Sequence, residues 1–140
     1  MTGSLLDTNV LSEFSRTGAP DRRVDHWLDS QPEESLFASV LTLAEIRRGI
    51  ELLPASKRRT QLDEWLVDLE SSFATRLLPI TKAIADRWAV LSAQAQLRGT
   101  PLANIDGLIA ATAFEHDLTL VTRNVKHFAG LGVKVFNPWE

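Results

Sequence analysis

The chain has 140 residues, 44% hydrophobic and 24% charged, and no cysteine, which suits one domain (1–140) with a buried core and excludes disulfides and thiolate metal sites. Its 15 basic and 18 acidic residues give a net charge of −3, which argues against coating nucleic acid by bulk charge but leaves open a nuclease with an acidic cleft. No apolar run reaches the length of a membrane span, and the N-terminus lacks the basic region and apolar core of a signal peptide. A soluble cytoplasmic protein without membrane contact is expected.

Leu5-Leu6-Asp7-Thr8-Asn9 reads as a buried strand that ends at a carboxylate, with Asp7 or Thr8 capping the next helix. A short helix through Val10–Phe14 ends at Gly18 and Pro20. Asp21 caps a second helix to about Ser30, with Val24, Trp27 and Leu28 inward. Ser35–Ala38 is a short strand. Ser39 or Thr42 starts a helix to Leu53 that turns Leu43, Ile46, Ile50 and Leu53 to the core. The helix from Ser56 to about Phe73 carries Leu62, Trp65, Leu66, Leu69 and Phe73 on one stripe.

Arg76–Ile80 is a third strand, and Pro79 marks its end or an edge position. Thr81 caps a helix to about Arg98, closed by Gly99. Asn104 caps a helix that is apolar nearly all round and holds Asp106 in its first turn. Leu118–Thr122 and Val133–Phe136 are the last strands, and Asn124 caps a short helix between them. Strands alternating with helices predict a three-layer α/β/α domain around a parallel sheet of about five strands.

In such sheets, ligands bind beyond the carboxyl ends of the strands, which makes Asp7 a chemical candidate. Each acid also has a plain structural explanation. Asp7 can be only a cap. Thr42-Leu43-Ala44-Glu45 fits a capping box, and Asp106 suits a helix dipole. Together they carry more weight, because burying several carboxylates near one another is costly without a cation. Oxygen ligands of this kind suit a hard divalent ion such as Mg²⁺. Asn124 offers a neutral oxygen, or simply an N-cap. Thr8 and Asn9 are placed to orient Asp7 or Glu45. Thr122 and Arg123 follow the fourth strand toward the same edge, and Arg47 flanks Glu45. The three histidines form no metal set, and His127 reads as a surface residue near the site.

Leu5-Leu6-Asp7-Thr8-Asn9-Val10-Leu11-Ser12-Glu13, Thr42-Leu43-Ala44-Glu45-Ile46-Arg47-Arg48-Gly49, and Asp106 through Ala113 followed by Leu120-Val121-Thr122-Arg123-Asn124 resemble the PIN-domain ribonucleases. They are most similar to the VapC-type toxins of toxin–antitoxin pairs. Trp27-Leu28-Asp29-Ser30 and Val135-Phe136-Asn137-Pro138-Trp139 are similar to the FitB-like branch. The resemblance implies a Mg²⁺- or Mn²⁺-dependent endoribonuclease with Asp7, Glu45 and Asp106 as metal ligands. It implies a homodimer, an RNA substrate, an antitoxin that blocks the cleft, and operator DNA reached only through that antitoxin. A fourth acid is common in the family after Thr-Arg. Here that position is Asn124, and the turn before Phe128 holds His127.

Two rivals remain on sequence grounds. One is a catalytically weak module that binds RNA or an antitoxin-type partner without efficient cleavage. The other is a receiver-like phosphoryl-transfer domain, disfavoured because no Lys ends a late strand. Phe14 and Trp27 are the expected lining of an apolar groove for the antitoxin.

Overall fold

The computed structural model describes residues 3–15 and 20–140. The expected helix stop at Gly18 lies outside the described residues. Five strands form one parallel sheet: β1 (Ser4–Leu6), β2 (Leu36–Ser39), β3 (Leu77–Leu78), β4 (Thr119–Val121) and β5 (Val135–Phe136). Their order is β3-β2-β1-β4-β5, so β1 is central and the sheet turns outward from it in both directions. Leu5 stands opposite Phe37 on one side and Leu120 on the other.

Alternation along the strands divides the core. Leu6 and Val121 face a cluster with Val10, Leu11, Val24, Ile46 and Leu66. Leu5 and Leu120 face the opposite cluster, with Ala95, Ile109, Ala110 and Phe128. The first face is covered by α1 (Thr8–Ser12), α2 (Arg22–Asp29), α3 (Val40–Glu51) and α4 (Lys57–Phe73), and the second by α5 (Lys82–Leu97) and α6 (Asn104–Glu115). The stripe read on α4 is present, with Leu66 and Phe73 buried and Leu62, Trp65 and Leu69 packed beside them. This is the three-layer α/β/α arrangement expected from the alternation of elements.

Caps explain most element boundaries. Asp7, Asp21, Ser56 and Thr81 each accept a backbone N–H at the start of a helix. Gly99 closes α5 with φ +80°, a conformation that suits a residue without Cβ. Three expectations at caps are corrected. The helix after β2 begins at Val40 with Ser39 as its cap, so Glu45 lies in the second turn and belongs to no capping box. The residue before α6 is Ala103, in extended backbone with no side-chain cap, and Asn104 is already helical. Asn124 precedes only a 3₁₀ turn, Val125–Phe128, and its side chain makes no capping bond. Among the described residues, no helix is long and apolar enough to cross a membrane.

Candidate active site

β1 and β4 deliver two chain segments to the same edge of the sheet. The Asp7 N–H donates to the Val121 carbonyl at 2.9 Å, extending the ladder one step past β1. That step fixes the carboxylate where the strand gives way to α1. Asp7 is 5% exposed and doubly held: Oδ1 accepts the Thr8 N–H at 2.8 Å and Oδ2 accepts the Thr122 hydroxyl at 2.7 Å. Thr122 is fully buried, and its hydroxyl oxygen also accepts the Asn124 N–H at 3.1 Å and Asn9 Nδ2 at 3.4 Å. Asn9 turns its other side-chain atom, Oδ1, to the N–H of Arg123 at 3.2 Å.

Glu45 joins from α3. Its Oε1 accepts the Thr8 hydroxyl at 2.6 Å, so one residue orients both acids, Asp7 through its backbone and Glu45 through its side chain. Asp106 joins from the first turn of α6. Its Oδ2 is 3.7 Å from His127 Nδ1, and the imidazole remains largely exposed. His127 is thus both a surface residue, as read from the sequence, and a neighbour of an acid.

The three carboxylates sense one another. Burial pushes Asp7 above its ordinary value, and the charge of Asp106 adds to this, while the hydrogen bonds from Thr122 and Thr8 and the proximity of His127 pull it back. Burial also raises Glu45, offset by the Thr8 hydroxyl and reinforced by the charges of Asp7 and Asp106. Mutual repulsion of this kind is relieved by a cation. The donor set is oxygen-rich and anionic, which fits a hard divalent ion by its chemistry. Among the described residues, no three acidic or histidine side chains close around a single point. An ion that keeps several of its own waters suits such an open arrangement.

Two hollows open beside the acids. One of about 210 Å³ is lined by Thr8, Glu45, Ile46, Gly49, Leu53 and Trp65. The other, about 250 Å³, is lined by Pro101, Leu102, Ala103, Asp106 and His127. A larger hollow, about 700 Å³, lies at the opposite ends of the strands, among Gly3, Ser35, His116 and Asp117. It lacks the converging acids, so chemistry rather than volume picks the site. Phe14 and Trp27 do not line the groove at Glu45. Trp27 packs against Phe136 at 5.4 Å between ring centroids, and Phe14 sits on the 3₁₀ turn Glu13–Ser15.

The structure brings Asp7, Glu45 and Asp106 to one region, with Thr8, Asn9 and Thr122 hydrogen-bonded around them and Arg123 and Asn124 exposed at the rim. Arg47 is engaged elsewhere, 2.8 Å from Asp63 and 3.5 Å from Glu51.

A PIN domain family profile matches residues 4–132. The chain belongs to the PIN-domain family. A VapC ribonuclease of Sinorhizobium fredii is 40% identical over 97% of this chain and 97% of its own. Toxin FitB of Neisseria gonorrhoeae is 43% identical over 97% of this chain and 98% of its own. The FitAcB crystal structure from Neisseria gonorrhoeae superposes with a TM-score of 0.91 and 42% identity, covering 98% of this chain and 99% of that one. A FitAB structure bound to a DNA fragment gives a TM-score of 0.91 at 40% identity, covering 98% and 96%. This PIN domain therefore falls in the VapC and FitB toxin group.

Two contributors escaped sequence reasoning. Gly107, next to Asp106, lies so close to Trp88 that a Cβ there would meet its ring at 2.8 Å. Trp139 lies under the Arg123 guanidinium, 5.2 Å from Cζ to the ring centroid. A glycine beside a candidate acid was the available signal for the first. No local signal marks the second, because the partners are 16 residues apart and joined only by the fold.

Proposed function

We propose that this PIN domain is a divalent-metal-dependent endoribonuclease, the toxin of a toxin–antitoxin pair. The observation that carries the reading is the placement of Asp7 and Glu45 on the shared Thr8 beyond the carboxyl end of β1, with Asp106 in the first turn of α6 facing them. Asp7, Glu45 and Asp106 would hold Mg²⁺ or Mn²⁺, with Asn124 as a neutral oxygen nearby. When bound, the ion lowers the pKa of a water and neutralises phosphate charge.

The chain's own residues do the rest. Thr8 and Thr122 hold Glu45 and Asp7 in single orientations, so that little ordering is left for the moment of reaction. A raised pKa suits Glu45 to accept the proton of the attacking water. Arg123, exposed on the rim, is suited to RNA phosphate, and Asn9 fixes its backbone.

The relatives support the partners. FitB is named a toxin, and FitAB is described as bound to DNA. For this chain the reading is an antitoxin that lays an apolar segment into the groove between Gly49, Leu53 and Trp65 and ends in an Arg at the acids. Operator DNA would be reached only through that antitoxin. Val90 and Leu97 are exposed one above the other on α5, which supports a homodimer through that helix.

Cleavage of RNA by the purified chain, present with Mg²⁺ or Mn²⁺ and absent with EDTA, tests the reading. Asp7→Asn should abolish it. A second reading is favoured by the open arrangement of the acids, which do not gather around one point among the described residues. On that reading the chain binds RNA or an antitoxin without efficient cleavage. RNA binding without metal-stimulated cleavage in the wild type would select it.

A further inference from the structure

Five arginines among the described residues are already paired with carboxylates, Arg23 with Asp21 among them. Arg47 pairs with Asp63, Arg59 with Glu51, Arg76 with Glu33 and Arg87 with Glu115. Arg123 has no carboxylate partner among the described residues, although it follows directly on the Thr122 that holds Asp7. Its backbone is pinned by Asn9 and its side chain is exposed. Its charge is held instead by the face of Trp139.

Trp139 is a buried platform. It is 4% exposed, belongs to the core cluster of Leu6, Val10, Leu11 and Val121, and donates its backbone N–H to Asn137 Oδ1 at 2.9 Å. A cation stacked on such a ring keeps its charge and its outward N–H groups while losing rotamer freedom on folding rather than on binding. Stacking leaves the planar fork of an Arg free to engage two oxygens of a phosphate. An arrangement meant only to neutralise the acids would have paired Arg123 with one of them.

We propose that Trp139 is a positioning residue, whose indole face holds the Arg123 guanidinium at the rim of the acidic site to receive a backbone phosphate of the RNA strand. This rests on the nuclease reading above.

The test uses the full chain and a short single-stranded RNA, with Arg123→Gln, Trp139→Leu, Trp139→Phe and the Arg123→Gln/Trp139→Leu double variant. Arg123→Gln and Trp139→Leu should each raise KM about tenfold while kcat stays within about twofold, and each should reduce the salt slope of RNA binding by about one. Trp139→Phe should recover wild-type KM, and the double variant should match Arg123→Gln. By NMR, the Arg123 side-chain protons should show ring-current shifts in the wild type and Trp139→Phe, lost in Trp139→Leu. Independently of any variant, adding RNA should move the Arg123 Nε–Hε resonance. Wild-type KM in Trp139→Leu, additive losses in the double variant, or an unmoved Arg123 resonance would overturn the proposal while the nuclease reading stands. A wild type that neither binds nor cleaves RNA would overturn both.

Discussion

The Thr8 hydroxyl donates to Glu45 Oε1 at 2.6 Å and so ties the first turn of α1 to the second turn of α3 across 37 residues. The same residue donates its backbone N–H to Asp7, so the two acids share one orienting group. Thr8→Val keeps the shape and removes the donor. It should cost about 1 kcal/mol in stability, as for a typical hydrogen bond. It should lower cleavage by more than Thr8→Ser does, in a rate assay beside a thermal melt.

Asp7→Asn separates stability from activity. The amide oxygen can still accept the Thr122 hydroxyl, whose own oxygen is taken up by Asn124 and Asn9, and only the bond from the Thr8 N–H at the helix start is given up. Cleavage should disappear while the melting temperature of the metal-free protein holds or rises at neutral pH, because a buried charge is gone. A loss of melting temperature by several degrees would contradict the assignment of Asp7 as a strained, functional acid.

The pH dependence of that stability has a definite sign. Asp7 and Glu45 are both raised, by burial first, above ordinary values of 3.8 and 4.5. The folded chain therefore holds these protons more tightly than the unfolded one. This contribution is fully present below the ordinary values and is lost as pH rises through the raised ones. Denaturant unfolding in EDTA should show wild type minus Asp7→Asn falling across that window and flat above it. Addition of Mg²⁺ should restore stability on the alkaline side.

Asn124→Asp should tighten divalent binding, since one more anionic oxygen stands at the rim beside Thr122. Cleavage should persist. Calorimetric titration of the metal reads the first effect. Loss of activity in Asn124→Asp but not in Asn124→Ala would show that this position is misassigned.

Two glycines should respond in opposite directions. Gly107→Ala drives a Cβ to 2.8 Å from Trp88 in the turn that carries Asp106, and should cost about 1–3 kcal/mol. Gly49→Ala meets nothing within 4 Å in the last turns of α3 and should gain about 0.5–1 kcal/mol. Thermal melts of the two variants check both.

Much of this site could be read in the chain because its signals are local. A short apolar run stopping at Asp7, an acid in a helix's first turn and the stripe on α4 each need only neighbouring residues. Boundaries were harder to read. Ser39 and Thr42 are both good caps, and only the end of β2 selects Ser39. Asn104 is displaced by Ala103, so α6 begins without the side-chain cap that the residue's own preference suggested. The bonds that orient the acids were out of reach, since Thr122 and Asp7 are 115 residues apart. Sequence spacing named the candidates, and the parallel pairing of β1 with β4 joined them.

Both margins of the sheet are blunt. β3 is Leu77–Leu78 and β5 is Val135–Phe136, two residues each, and Pro79 and Pro138 follow closely. A proline cannot donate to a ladder, so neither margin offers a run of free N–H and C=O groups on which a foreign strand could build. Other chains must therefore meet this molecule through helices and grooves rather than by lengthening its sheet. The same bluntness protects it from strand-to-strand aggregation.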